Sequence, residues 1–571
     1  MSRWPWFLVC AVLGLALLIC GWLVPAHLRA VDASVISRAG RRTPALIQSG
    51  VDLAKARDLG SAQLVLRAAQ AEKLSGGEKL ASALDGLARE HPGWQVWGGG
   101  ATPRLENIFE ADSPGTNSTT PFTQFLVKTG RREKVLEFLG ASPNPAVQEL
   151  LRCRSLAKTS VFPPSQSASG QAFDTAISIC GLLSEQRRLS WALNQRLFAL
   201  ASEANRGGDS QRLELALLDL MSLGQRFNWD QLAVFAGRIE DAETFRLLAN
   251  DVRQANEQLP ALFSAVELSG NPAGVARYLT DFSRTGLQDL GAGLRFGAGG
   301  INELLRRDQR LHSSGFRRQV TNNGLLAAPF DVAADYAWRT PGLAIAIKWL
   351  MYLAGGFLIA AALHFARPVA SALEQPLQVR GFHLAREFLF ALGFLLVALI
   401  LTEPFLSQES QKVELPFRLH LPMADGAVSA GIGAHPSIMN QISQLSLMTL
   451  LLFFVLQGLI YTACVVKLAE IRRQKVPPRI KLKLLENEDH LFDAGLYLGF
   501  VGTIVSLILA SLHMIEFSLM AAYSSTSFGI IFVSFFKIFH LRPARRKLLL
   551  EAEYESSEGV SAHAPSLATM S

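Results

Sequence analysis

The sequence predicts an all-α, polytopic membrane protein: about six transmembrane helices and a large extracytoplasmic α-helical domain of solenoid-like character. Three observations lead there. Of its 571 residues, 49% are hydrophobic and only 18% charged, against about 25% charged in a typical soluble protein. The apolar residues gather in long runs, mostly after residue 340. Between the first run and the second lies a long polar stretch with helical spacing and few alternating β-type patterns.

A membrane-spanning helix needs about 20 apolar residues. Six stretches qualify: Phe7–Val24, Leu343–Phe365, Phe388–Leu406, Ile442–Val466, Leu491–Leu512 and Phe517–Phe539. The first has two readings, a retained anchor or a signal peptide cleaved near Val24-Pro25-Ala26. The division that follows is 1–24 anchor, 25–340 extracytoplasmic helical domain, 341–440 two spans plus an outer loop, 441–553 a three-helix membrane region, and 554–571 a disordered cytoplasmic tail.

Basic residues set the orientation. Arg367, Arg380 and Arg386 follow the second span, Arg472 to Lys483 the fourth, and Arg542 to Lys547 the sixth. The intervening loops offer only Lys412 and Arg418. Both termini are therefore expected in the cytoplasm and residues 25–340 outside. Arg29, Arg38, Arg41 and Arg42 oppose this, but long domains cross largely regardless of charge. A net charge of +7 would suit nucleic acid. Its basic residues cluster at span ends, so no nucleic-acid partner is expected.

In the polar stretch, Leu213, Leu215, Leu217, Leu218, Leu220, Met221 and Leu223 mark a helix too broadly apolar for one narrow face. Breaks such as Gly76-Gly77, Asn144-Pro145, Gly207-Gly208 and Asn271-Pro272 divide successive helices. This suggests stacked helical pairs, with an irregular bundle as the alternative. Gly98–Thr120 reads as a long loop, and Asn117-Ser118-Thr119 fits a glycosylation acceptor. There is no HExxH, GxSxG, Walker loop or metal-spaced His/Cys set, so neither an enzyme nor a cofactor or metal is expected. Cys153 and Cys180 have two readings: a disulfide, which an extracytoplasmic location permits, or two separately buried thiols.

The last two long runs carry the functional signal. Gly495, Gly499, Gly502, Ser506 and Ala510 share one helix face, and Ser518, Ala522, Ser525 and Gly529 repeat the pattern in the next run. Small faces let helix backbones approach closely in lipid. Thr503 and the Tyr523–Ser527 block add hydroxyls. Lys348 reads as a snorkelling residue, and Glu403, Asp493 and Glu516 as interfacial carboxylates.

Gly499-Phe500-Val501-Gly502-Thr503 and Ala522-Tyr523-Ser524-Ser525-Thr526-Ser527-Phe528-Gly529 resemble the two pore-helix elements of the MotA/TolQ/ExbB proton-channel family. The likeness covers about residues 440–553. The sequence departs from the family in a short 468–490 segment, a short outer turn, and Ala521-Ala522 where ExbB- and TolQ-like members carry glutamate. The resemblance implies a pentamer in a bacterial inner membrane, around a small single-span ExbD/TolR/MotB-like partner that supplies a membrane aspartate. It makes Thr503, Ser506, Ser525 and Thr526 channel-lining, and Gly495, Gly499, Gly502, Ala522 and Gly529 packing positions. The implied function is a subunit that couples ion flow to work in the cell envelope. The alternative is a non-conducting anchor or receptor that displays a helical protein-binding domain.

Overall fold

The computed structural model describes residues 4–110, 120–127, 130–167, 170–283, 285–315, 324–366, 382–405, 444–474, 476–511 and 519–561. Nearly all of them are helical. The chain divides into two units, one of Ala30–Arg339 and one of Met1–Arg29 with Thr340–Ser571. The Asn117 acceptor, the 407–440 loop, the 513–516 turn with Glu516, Arg367, Arg380 and the last ten residues of the tail lie outside the described residues.

Capping chemistry punctuates the Ala30–Arg339 unit. Asp32, Asn144, Ser190, Asn228, Asp241 and Asn271 each accept a backbone N–H of the helix that follows, satisfying donors that a helix start leaves open. The Asn-Pro pairs predicted as breaks are thus caps followed by a proline in the first helical turn. In the Gln211–Gly224 helix, Leu213, Leu217, Leu220 and Leu223 are fully buried while Leu215 is 47% exposed. Glu214, Asp219, Ser222 and Gly224 are buried as well, so the buried surface is broad, as the leucine-rich sequence suggests, with Leu215 left outside it.

Alternate helices stack in a row: Gln171–Glu185, Gln211–Gly224, Ala242–Ala255 and Pro272–Asp281 each pack on the next. The row does not remain an open array. Leu59–Ala71 packs on Leu259–Ser269, and Ala33–Gly40 on Gly297–Arg307. Ala30–Asp32 pairs in parallel with Arg310–His312, placing Val31 opposite Leu311. Two ends of this unit that are far apart in sequence therefore meet. The Ala33–Gly40 contact is close enough that a Cβ on Gly40 would overlap the carbonyl of Phe296.

Trp97, Phe109, Phe122, Phe125 and Trp229 form an aromatic centre with ring centroids 5.0–6.4 Å apart. It gathers three short helices, Trp94–Trp97, Pro103–Glu110 and Phe122–Val127, onto Trp229–Arg238. Residues 98–120 read as one loop in the sequence, yet Pro103–Glu110 is helical because Leu105 and Phe109 bury fully. Cys153 and Cys180 are not bridged: both thiols are free and buried. The Cys153 thiol donates toward the carbonyls of Glu149 and Ala201. Burial pushes both thiols up to about 12.

Glu214 is buried and accepts the backbone N–H groups of Ser160, Val161 and Phe162 at 2.6–3.1 Å, plus the Ser210 hydroxyl at 2.7 Å. Burial pushes its carboxyl up, but these donors outweigh it and leave it below the usual range. Its stabilisation is therefore present above the ordinary glutamate value of about 4.3 and is lost as pH falls through the lower folded value. Glu214→Ala leaves three backbone donors without their acceptor, at about 1–3 kcal/mol each. The expected outcome is a loss of at least about 3 kcal/mol in thermal or denaturant unfolding, with rapid proteolysis near Ser160. An unchanged midpoint would show that the carboxylate does not hold this segment.

Polar groups inside the membrane unit

Among the described residues, four helices are long and apolar enough to cross a membrane: Trp4–Leu23, Pro341–Leu363, Thr449–Arg473 and Tyr523–Tyr554. Two shorter apolar helices accompany them, Glu387–Thr402 and Ala494–Ile504. Glycines set the closest approaches. A Cβ on Gly14 would lie 3.1 Å from the Gly355 carbonyl, and one on Gly355 would lie 3.1 Å from the Gly14 carbonyl. The Trp4–Leu23 helix thus packs backbone to backbone on Pro341–Ala366. Gly356 in turn meets Ala391 of Phe382–Thr402.

These three segments enclose a charged network. The Lys348 ammonium donates to Glu403 Oε1 at 2.9 Å and to the Ala26 carbonyl at 2.8 Å, and it lies 3.3 Å from His27 Nδ1. Glu403 Oε2 accepts the Leu28 N–H at 2.8 Å. The Lys348 and Glu403 side chains are each 1% exposed and that of His27 is 0% exposed. The same His27 Nδ1 lies 3.7 Å from Glu403 Oε2, so the imidazole sits between the ammonium and the carboxylate. Lys348 therefore does not snorkel, and Glu403 is not an open interfacial carboxylate. Sequence spacing hides the network, because its members are separated by 55 and by more than 320 residues.

A second polar seam runs through the C-terminal helices. The Ala494–Ser511 and Leu519–Phe536 helices pack together, with Gln444–Arg473 against the second. Thr503 Oγ1 and Thr526 Oγ1 lie 2.5 Å apart, and both hydroxyls reach the Gly499 carbonyl, at 3.1 and 3.3 Å. A Cβ on Gly499 would fall 2.8 Å from the Ser525 carbonyl, one on Gly529 2.7 Å from the Gly495 carbonyl, and one on Gly502 would overlap Ser525 Oγ. These glycines therefore sit where only hydrogen fits. Gln457 was not among the expected site residues. It donates to the Gly495 carbonyl at 2.9 Å. Among the described residues, Gln457 Oε1 and Ser525 Oγ are buried without a hydrogen-bond partner. The side chains of Ser506 and Ala522 lie outside the described residues.

Below this seam a core of Cys464, Leu468, Ile471, Leu485, Phe492, Phe536, Leu541, Ala544 and Leu548 joins Gln444–Arg473 to Pro478–Asn487 and Arg542–Ser561. A π-helical turn at Lys537–Leu541 connects the apolar helix to its polar continuation. There Lys537 pairs with Asp493 at 2.6 Å, and Tyr461 hydrogen-bonds His540 at 2.8 Å.

No family model matches the chain, and neither does any curated protein or solved structure. The geometry must therefore carry the functional reading. Removing one partner of a buried ion pair costs about 3–5 kcal/mol, whereas an apolar replacement of both is often tolerated. Lys348→Met alone, or Glu403→Leu alone, is expected to lower the thermal midpoint of the detergent-purified protein sharply. The double variant should recover much of the loss. Equal midpoints for all three variants and the parent would mean the charges do not hold the helices together.

Proposed function

We propose that the chain is a multi-pass membrane subunit that couples ion flow to work in the cell envelope, in the manner of the MotA/TolQ/ExbB proteins it resembles. The observation that carries this reading is the Thr503–Thr526 pair at the glycine-lined contact between two apolar helices. Buried Ser525 Oγ and Gln457 Oε1 extend the pair into a polar seam with acceptor and donor capacity left over. Polar groups inside membrane helices are costly and concentrate where ions or partner helices pass. In this reading the two shorter apolar helices also cross the bilayer, giving six spans. Both termini face the cytoplasm and the Ala30–Arg339 unit lies outside, in a bacterial inner membrane. Several copies, five by the resemblance, surround a small single-span protein whose membrane carboxylate exchanges the ion, with Thr503, Ser506, Ser525 and Thr526 along its path.

The second reading is a non-conducting anchor that displays the helical unit to a protein partner. The same hydroxyl pair favours it, since Thr503 and Thr526 satisfy each other and share the Gly499 carbonyl. Interhelical hydrogen bonds of this kind contribute only about 0.6 kcal/mol on average. Replacement should then leave both stability and function nearly intact.

Thr503→Val and Thr526→Val distinguish the two. The protein is purified with its partners, reconstituted in vesicles, and assayed for proton or sodium flux alongside its assembly state. The channel reading expects each substitution to cut flux at least about tenfold, about 1.4 kcal/mol of barrier, with assembly unchanged. Normal flux in both variants, or no flux in the parent complex together with a monomer that retains no single-span protein, would leave the anchor.

A further inference from the structure

Asp58 and Asp230 lie far apart in sequence and meet inside the Ala30–Arg339 unit. Asp230 opens the Trp229–Arg238 helix and is 1% exposed, and Asp58 immediately precedes Leu59–Ala71 and is 8% exposed. Asp230 Oδ2 accepts the Ser61 N–H at 2.7 Å. Its other oxygen, Oδ1, is buried and receives no donor from the described residues. The group it faces is the Asp58 carboxyl, which is within hydrogen-bonding reach. The two Oδ1 atoms lie 2.6 and 2.7 Å from the point a Cβ on Gly100 would occupy. Asn228 Nδ2, beside Gly98, is also buried without a partner.

Two carboxylates are acceptors only, so they can face each other in a dry site when one of them carries a proton. The surrounding charges do not remove that requirement. Arg188 attracts Asp58 but spends a donor on the Gly100 carbonyl at 2.7 Å. Glu267, on Leu259–Ser269, adds negative potential and is itself paired with Arg238 of the Asp230 helix. The Gly98–Gly100 turn closes over the pair. All three glycines have positive φ, Gly98 accepts the Gly60 N–H at 2.9 Å, and Gly100 donates to the Arg57 carbonyl at 3.2 Å.

We propose that Asp58 and Asp230 form a proton-binding site that latches the Gly98–Gly100 turn onto the Trp229–Arg238 helix. With one shared proton, Asp58 and Asp230 hydrogen-bond each other and the turn is closed. When the O–H bond breaks and the proton passes to a base in solvent, two adjacent carboxylates remain. Their repulsion opens the turn and admits water. Burial, and for Asp230 the neighbouring Asp58 charge, push both carboxyls upward. The latch is thus fully present below the ordinary aspartate value of about 3.9 and is lost as pH rises through the raised folded value.

The test is hydrogen–deuterium exchange of the full-length, detergent-purified protein from about pH 5 to about pH 9, across the raised carboxylate range. Rates are corrected for intrinsic exchange, and the Gln171–Glu185 helix serves as internal control. Protection of the peptide covering 94–101 should fall on the order of tenfold per pH unit once the proton is lost, the slope of a single linked proton. In Asp58→Asn or Asp230→Asn the amide supplies a permanent donor, so the fall should vanish. Either variant suffices if the other misfolds. A parent profile flat across the range, a slope unchanged in the variants, or failure of both variants to fold would each overturn the latch.

Discussion

A cation and an anion sit against each other among apolar helices, and the N-terminal part of the membrane unit depends on their remaining paired. Lys348 and Glu403 have almost no exposure. Each is enclosed because glycine faces bring its helix close: Gly14 against Gly355, and Gly356 against Ala391. Close approach excludes solvent, and exclusion of solvent makes an unpaired charge intolerable. The network also takes in the Ala26 carbonyl, His27 and the Leu28 N–H. Backbone groups just beyond the Trp4–Leu23 helix, which have no helical partner, are satisfied there as well.

The C-terminal helices apply the same logic with hydroxyls and an amide in place of charges. Gly495, Gly499, Gly502 and Gly529 bring two backbones together. That contact presses Thr503, Ser525, Thr526 and Gln457 into a shared polar seam. A tight membrane contact needs small residues, and the Ser and Thr that serve as small residues also carry polar atoms. Packing and chemistry are therefore linked at these positions: a Thr→Val change alters the chemistry with little change in shape, whereas a glycine substitution would break both.

The Ala30–Arg339 unit holds many short helices together by other means. Capping side chains set the helix starts, aromatic rings gather the short helices, and Glu214 ties down the 160–162 segment. The Asp58–Asp230 contact stands apart from these. The caps and Glu214 join donors to acceptors, whereas this pair presents two acceptors and needs a proton from solution. In the proposed latch, the loss of that proton as pH rises opens the turn, whereas Glu214 loses its hold only as pH falls.

The sequence by itself determined the helical class, the apolar runs and the glycine faces, because these follow from local composition and a fixed helical period. It also indicated the Asn-Pro breaks, which the structure shows to be caps, and the hydroxyl positions Thr503 and Thr526, whose spacing within each run is enough to place them on a face. It did not show that Pro103–Glu110 forms a helix inside an apparent loop, because two buried residues in eight are too few for a periodic signal. It presented Cys153 and Cys180 as a possible bridge, since spacing says nothing about where a thiol's proton can go. Lys348 and Glu403 read as edge residues because each lies near a run's end. Only the tertiary structure decided that they face each other, that Gln457 enters the glycine seam, and that Asp58 meets Asp230. Each of these contacts joins residues far apart in sequence, and what pairs them is the packing of whole helices, which no local pattern encodes.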